Sequence, residues 1–124
     1  MFKTELKVEA VRGEDAYILI DPLIYTVEDG DVIVVPIGFK TNFASVPSMA
    51  KWYIDDDSYL IRSPSVVHDF LYSKDSARYG YTREAADKVL RAAMIEQGMR
   101  KSQAYFIYYV LRAFGGSHWE PRQQ

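Results

Sequence analysis

Apolar and polar residues alternate along the first third of the chain, and the period changes near residue 43. Between residues 2 and 10 the apolar side chains share one parity and the charged ones the other: Phe2, Leu6, Val8 and Ala10 against Lys3, Glu5, Lys7 and Glu9. A period of two is typical of a strand that buries one face. This segment is therefore predicted to be a half-buried strand.

Further strands are predicted at residues 16–20, 23–27 and 32–35. The turn-prone pair Asp21-Pro22 separates the first two. The turn Glu28-Asp29-Gly30-Asp31 joins the last two, and an Asp-Gly pair tolerates the positive φ of a tight hairpin. The first third is therefore predicted to form a small, largely antiparallel sheet with one hairpin.

The second half carries helical periods and helix end signals. Four helices are predicted, over residues 47–53, 64–73, 83–97 and 100–114. Ser63-Pro64 is a start signal, because serine caps a helix and proline suits its first position. Thr82 is the predicted cap of the third helix and Gly98 its stop, and Gly115-Gly116 ends the fourth.

These elements predict one α+β domain over residues 1–124, with a small antiparallel sheet and about four helices packed on it. Residues 1–42 are mainly β, residues 43–116 are mainly α, and residues 117–124 form a tail that tucks onto the fold. A chain of 124 residues is long enough to bury a core without metals or disulfides.

Charge and composition narrow the classes of function. A formal net charge of −2 lacks the basic excess of a general nucleic-acid binder, so no nucleic-acid partner is expected. Cysteine is absent, which excludes a disulfide framework, a thiolate zinc site and a cysteine nucleophile. No apolar run approaches the roughly 20 residues of a spanning helix. A soluble domain without a transmembrane segment is expected.

Candidate chemistry is concentrated around His68. Asp69 follows it directly, Tyr72 lies one helical turn further on, and Asp87 lies on the next predicted helix. These residues supply a base, a group to orient the base and a metal ligand, which are the groups needed to activate a water.

The position of Asp87 predicts which residues meet. Asp87 shares a helical stripe with Leu90 and Met94, so it is expected to point inward, where an unpaired charge is costly. If the two helices pack antiparallel, Asp87 meets His68 and fixes one of its ring nitrogens. The alternative interpretation is structural: a His–Asp–Tyr network that pins two helices together and has no catalytic role.

The pattern His68-Asp69-x-x-Tyr72, with Asp87 on the next helix, resembles the active-site helix pair of the secreted phospholipase A2 superfamily, over about residues 64–98. The resemblance implies that His68 is the general base for water and that Asp69 is a ligand of calcium. It also implies that Asp87 and Tyr72 orient His68.

A second resemblance covers nearly the whole chain. Its motifs are Ile37-Gly38-Phe39-Lys40-Thr41-Asn42-Phe43-Ala44-Ser45-Val46-Pro47, Val67-His68-Asp69-Phe70-Leu71-Tyr72, Arg83-Glu84-Ala85-Ala86-Asp87 and Phe114-Gly115-Gly116. They resemble a small phage- and prophage-encoded family of unknown function, whose first motif usually reads Thr-Asp-Phe-Ala-Ser-Val-Pro. Asn42 stands in place of that acid. The resemblance implies a phage context, either the cytoplasm of an infected host or the virion.

The loop that carries the first motif is the candidate wall of a pocket. Thr41, Asn42 and Ser45 are small polar residues before a predicted helix start, whose free N–H groups favour anions. Asn42 is also a candidate metal ligand beside Asp69, with calcium or zinc as the candidate metal. Asn42→Asp is therefore expected to raise affinity in a calcium or zinc titration, because it adds a charged oxygen ligand. The alternative interpretation is that the loop is a plain turn leading into a helix and has no functional role.

The final predicted helix, residues 100–114, has a wide aromatic surface: Tyr105, Phe106, Tyr108 and Tyr109. Core packing accounts for part of this surface, and the rest is a candidate contact with phage structural proteins or with a second copy of the chain. Two functions follow: a metal-assisted hydrolase, of ester bonds for example, or a non-enzymatic tail, neck or assembly component of the virion.

Overall fold

The computed structural model describes residues 1–42 and 59–120. Their strands form two small antiparallel sheets. The strands are β1 (Val8–Ala10), β2 (Tyr17–Leu19), β3 (Leu23–Thr26), β4 (Val32–Val35) and β5 (Lys40–Thr41). One sheet has the order β1-β2-β5, and the other is the β3–β4 hairpin.

The alternating N-terminal segment contributes to both sheets. Phe2, Leu6 and Val8 are half-buried and the charged residues between them are exposed, so the predicted alternation is confirmed, although Ala10 at its end is exposed. Phe2 forms a bridge with Tyr25 of β3, whereas regular pairing with β2 begins only at Val8. The segment therefore crosses from one sheet to the other and is not a single strand.

The predicted hairpin is confirmed. Gly30 has φ +99°, and Val27 and Asp31 close the turn through an N–H···O bond of 2.8 Å. The Asp29 carboxylate accepts a further bond from the N–H of Asp31. Aspartate and glycine thus play the turn roles that their chemistry favours.

Three α-helices and two 3₁₀-helices follow within the described residues. They are α1 (Tyr59–Tyr72), α2 (Arg83–Glu96) and α3 (Lys101–Phe114), with 3₁₀-helices at Lys74–Tyr79 and Gly115–His118. The α+β prediction is confirmed. The helix predicted at residues 47–53 lies outside the described residues.

The predicted start of α1 at Pro64 is wrong, because Pro64 lies inside the helix. Proline there lacks the N–H that would bond to the carbonyl of Leu60. Leu60 and Ile61 nevertheless pack against the cluster between α2 and α3. Packing of these two partly buried side chains offsets the lost hydrogen bond, and a local end signal does not report such packing.

The ends of α2 follow their sequence signals. The Thr82 side chain accepts a hydrogen bond from the N–H of Ala85, as predicted for a cap. Gly98, with φ +112°, follows the helix, and an ideal Cβ there would lie 3.7 Å from Leu60. Arg83 at the other end of α2 contacts Tyr72. These two contacts at opposite ends make α1 and α2 antiparallel.

The core has two parts. One lies between the sheets, α1 and one face of α2, and Trp119 of the tail belongs to it. The other lies between α2 and α3. Trp119 packs edge-to-face on Tyr72, and the N–H of Glu120 donates to the Tyr72 carbonyl at 2.9 Å. The predicted docking of the tail is therefore observed as far as Glu120.

Across residues 1–42 and 59–120, none of the helices has the length and apolar character needed to cross a membrane.

Candidate functional site

His68 of α1 and Asp87 of α2 meet in the core. His68 Nε2 lies 2.7 Å from Asp87 Oδ1, and the side chains are 1% and 0% exposed. Leu90 and Met94, which share the stripe of Asp87, are also fully buried. The predicted contact between the two side chains is confirmed, and the inward stripe on α2 explains it.

Asp87 accepts two further hydrogen bonds. The Tyr72 hydroxyl donates to Oδ1 at 2.6 Å, and Nη1 of Arg112 donates to Oδ2 at 2.8 Å. The Tyr72 ring also lies against the imidazole of His68, with centroids 4.2 Å apart. The carboxylate thus has three donors on its two oxygens, one from each of its neighbours.

Arg83 ties Tyr72 to the end of α3. Its Nε donates to the Tyr72 hydroxyl at 3.2 Å. Its Nη2 donates to the carbonyls of Leu111 and Arg112 at 2.6 and 2.9 Å. Arg83 therefore caps the last turn of α3 and joins all three helices at one point.

The donors fix the direction of the protons in this network. An arginine side chain only donates, so the Tyr72 hydroxyl accepts from Arg83 and must give its own proton to Asp87. Oδ2 likewise accepts from Arg112. With Asp87 ionised, the proton of a neutral His68 lies on Nε2, and Nδ1 keeps its lone pair.

The electrostatics agree with an ionised Asp87. Burial by itself raises the pKa of Asp87, but the hydrogen bonds from His68, Tyr72 and Arg112 outweigh burial, so the pKa is lowered. Burial raises the pKa of Tyr72, and its bond to Asp87 and the charge there raise it further. The proton between these two side chains therefore stays on the tyrosine.

The other nitrogen of His68 is unsatisfied. Nδ1 is buried and has no hydrogen-bond partner among residues 1–42 and 59–120. A buried polar atom left unpaired costs about 1–3 kcal/mol. Most buried polar groups in folded proteins are paired, so an exception of this kind calls for an explanation.

Asp69 is held from the sheet. Thr41, on β5, donates its hydroxyl proton to Asp69 Oδ2 at 2.6 Å. Thr41 is buried and Asp69 is half-buried. The structure therefore places Thr41 beside the His68 helix, and its role as a pocket-wall residue stays a prediction. Asn42, the next residue, is exposed, and its role as a metal ligand remains a prediction. Ser45 lies outside the described residues.

The described residues do not assemble a metal site. No three histidine, aspartate or glutamate side chains within 1–42 and 59–120 converge in a geometry that holds an ion. Calcium takes six to eight oxygens. Among residues 1–42 and 59–120, Asp69 is the one candidate carboxylate beside His68, since both oxygens of Asp87 already accept hydrogen bonds. Binding of calcium or zinc, and the roles of Asp69 and Asn42 as ligands, stay predictions.

Two residues of the network, Arg83 and Arg112, were missed by sequence reasoning. The signal for Arg112 is a basic residue in the last turn of a largely aromatic helix. A second signal is that a buried Asp87 needs a cationic partner. Neither signal identifies which arginine pairs with Asp87. Arg83 stands four residues before Asp87, a spacing that favours an ion pair, yet it bonds to Tyr72 instead.

The glycine pair after α3 makes room for Arg83 and Tyr72. An ideal Cβ at Gly115 would lie 3.3 Å from the Tyr72 hydroxyl oxygen, and one at Gly116 would lie 3.3 Å from Arg83 Nη1. Gly115→Val is expected to lower the free energy of unfolding by about 1–3 kcal/mol, because the larger side chain displaces the tyrosine. Ser117→Val, at an exposed position of the same segment, is the control in urea denaturation. Equal effects of the two substitutions would contradict this role of Gly115.

Stability is expected to depend on the charge of Asp87. Its pKa is lowered from the ordinary 3.8 in the folded protein, so as pH falls the unfolded chain takes up this proton first. The contribution is complete above the ordinary pKa and is lost as pH falls through the lowered one. The difference in free energy of unfolding between wild type and Asp87→Asn should therefore shrink between about pH 5 and about pH 2. Urea denaturation across this range measures it, and a constant difference would contradict the expectation.

Fold and network together define an α+β domain with a buried histidine–carboxylate pair, flanked by a tyrosine and two arginines. The chain belongs to the family described as "Protein of unknown function (DUF1353)", whose model matches residues 17–111. That match includes His68, Asp69, Tyr72 and Asp87. No curated protein and no solved structure matches the chain. Membership of a family of unknown function is confirmed, and the phage context remains a prediction.

Proposed function

We propose that this chain is a phage- or prophage-associated hydrolase of the ester-cleaving kind, in which His68 activates a water as general base. The proposal rests on the different environments of the two imidazole nitrogens of His68. Nε2 is held by Asp87 at 2.7 Å, while Nδ1 is buried without a partner among the described residues. A general base requires a nitrogen of this kind, free to accept a proton.

The described residues support a simple proton path. Nδ1 of His68 takes a proton from water as the water oxygen bonds to the carbonyl carbon of the ester. Asp87 stays ionised and stabilises the imidazolium that forms, the role of the carboxylate in a hydrolytic triad. The imidazolium then gives its proton to the departing alkoxide, and the ester is split into acid and alcohol.

The resemblances supply the rest of the proposal. The phospholipase-like helix pair favours an ester substrate and gives Asp69, anchored by Thr41, the role of metal ligand. The resemblance of the chain's motifs to those of a phage- and prophage-encoded family favours a role in the phage cycle. The proton path itself uses only His68 and Asp87. Among the described residues, Asp69 is the only metal-ligand candidate beside His68.

The experiment that tests the proposal is an ester-hydrolysis assay. Purified wild type is incubated with p-nitrophenyl butyrate and, separately, with phosphatidylcholine vesicles, each with calcium, with zinc or with a chelator. Asp69→Asn is run in parallel. We expect hydrolysis by wild type, and a loss in Asp69→Asn confined to the conditions with metal if Asp69 is a ligand. A folded wild-type protein that hydrolyses neither substrate under any of these conditions would count against the hydrolase.

A second candidate function is a non-enzymatic component of the phage particle, in which the network is structural. The observation that favours it is the surface of α3, where Tyr109 and Phe114 are 62% and 61% exposed. Exposed aromatic side chains on one helix are typical of contacts with a neighbouring chain. Light scattering of wild type beside Tyr109→Ser/Phe114→Ser tests this candidate. Self-association lost in the double variant, in a protein without hydrolysis, would support it, and a monomeric wild type would argue against a contact between copies.

A further inference from the structure

We infer that Arg112 is a positioning residue: by holding Oδ2 of Asp87 it keeps the proton of His68 on Nε2 and the lone pair on Nδ1. The inference deepens the proposed function, on which the importance of that lone pair rests. The proton arrangement itself is testable without any enzymatic activity.

Arg112 is anchored at both ends. Its guanidinium donates to Asp87 at 2.8 Å, and its carbonyl oxygen accepts from Arg83 at 2.9 Å. The side chain is 31% exposed, whereas Asp87 is fully buried. Arg112 therefore brings a permanent positive charge from the protein surface to a carboxylate in the core.

The second oxygen matters because the terminal torsion of a carboxylate is soft. Held at Oδ1 alone, Asp87 is free to rotate away from the plane in which it accepts from His68 and Tyr72. Arg112 fixes the plane from the far side, and its charge favours the ionised carboxylate, which cannot donate a proton to Nε2. The imidazole is left with one arrangement: Nε2 donates and Nδ1 carries the lone pair.

The substitution Asp87→Asn makes the effect of Arg112 on the His68 tautomer measurable. An amide has one acceptor oxygen and one donor nitrogen. Arg112 only donates and carries a full charge, so it favours the amide oxygen on its own side and the amide nitrogen on the side of His68. The neutral Tyr72 hydroxyl, which donates to the Oδ1 position at 2.6 Å, favours the opposite orientation more weakly. We expect the charged donor to decide the orientation. His68 Nε2 then has to accept, which moves the imidazole proton to Nδ1. Removing Arg112 as well takes away the constraint and lets the amide turn its oxygen back to His68.

The experiment is ¹⁵N NMR of proteins labelled in histidine, at one pH near neutrality. The chain has two histidines, and His118→Gln assigns their signals. Four proteins are compared: wild type, Asp87→Asn, Asp87→Asn/Arg112→Met and, as control, Asp87→Asn/Arg91→Met. Arg91 is matched because its side chain also lies between α2 and α3, where it stacks on Tyr105 and Tyr108.

We expect Asp87→Asn to place the proton on Nδ1. Adding Arg112→Met should return the tautomer ratio toward Nε2–H by at least about tenfold, because the charged donor no longer selects the amide orientation. Arg91→Met should leave the ratio of Asp87→Asn unchanged. A ratio that Arg112→Met does not move, or that both arginine substitutions move equally, would overturn the inference. If the methionine variant fails to fold, Arg112→Gln, which keeps a donor without the charge, is used in its place.

Activity provides a second readout that separates this inference from the proposed function. In a wild type that hydrolyses p-nitrophenyl butyrate, Arg112→Met should lower kcat by at least about tenfold with little change in KM, and Arg112→Lys should recover part of the loss. A loss confined to KM would overturn the positioning role. A wild type without hydrolysis would contradict the proposed function and leave the NMR result to decide the role of Arg112.

Discussion

Asp87→Ala is expected to lower the free energy of unfolding by about 3–5 kcal/mol, the usual effect of removing one partner from a buried charged network. Truncation leaves the buried donors of His68 and Tyr72 without an acceptor. Arg112 is partly exposed and can turn toward water, so the loss falls mainly on the other two. Since small domains are stable by only about 5–15 kcal/mol, this change removes a large share of the total.

The matched control is Lys88→Ala, one residue further along α2 at an exposed position. Both substitutions remove a charge from the same helix, and only one touches the network. Urea denaturation of the three proteins measures the difference. An Asp87→Ala protein no less stable than Lys88→Ala would contradict the interaction energies inferred from the geometry.

His68→Gln is expected to lower ester hydrolysis by about 10²–10⁴-fold, the usual contribution of a general base. Glutamine retains an amide N–H that can face Asp87, but it has no group that accepts a proton near neutral pH. The loss should appear in kcat, because the base acts in the transition state and not in binding.

The control for this substitution is His118→Gln, which changes the other histidine, at an exposed position of the C-terminal 3₁₀-helix. Circular dichroism establishes that both variants are folded. Equal activity of His68→Gln and His118→Gln would show that His68 is not the general base. Lower activity of His68→Gln, with an unchanged melting temperature, would support His68 as the general base.

The centre of the site was predictable because its signals are local and periodic. A carboxylate on an otherwise apolar stripe must point inward, and this placed Asp87 against His68. The Thr82 cap and the Asp-Gly turn at Gly30 were likewise read from chemistry within a few residues. Each of these features depends on the period of one element and on its end signals.

The features that the sequence does not predict depend on packing between elements that are distant along the chain. Ser63-Pro64 has the chemistry of a helix start, but packing of the partly buried Leu60 and Ile61 carries the helix past it. Arg83 and Arg112 were missed because their partners lie on other helices. Gly115 has the local signal of a helix end, whereas its close approach to Tyr72 depends on how α1 and α3 pack.

The ¹⁵N spectrum of His68 in the wild-type protein near neutral pH shows directly which ring nitrogen carries the proton. We expect the proton on Nε2, next to Asp87, and an unprotonated Nδ1 that can accept a proton from water. A proton on Nδ1, or on both nitrogens, would rule out His68 as the general base, because it would then have no lone pair at the position where a base is required.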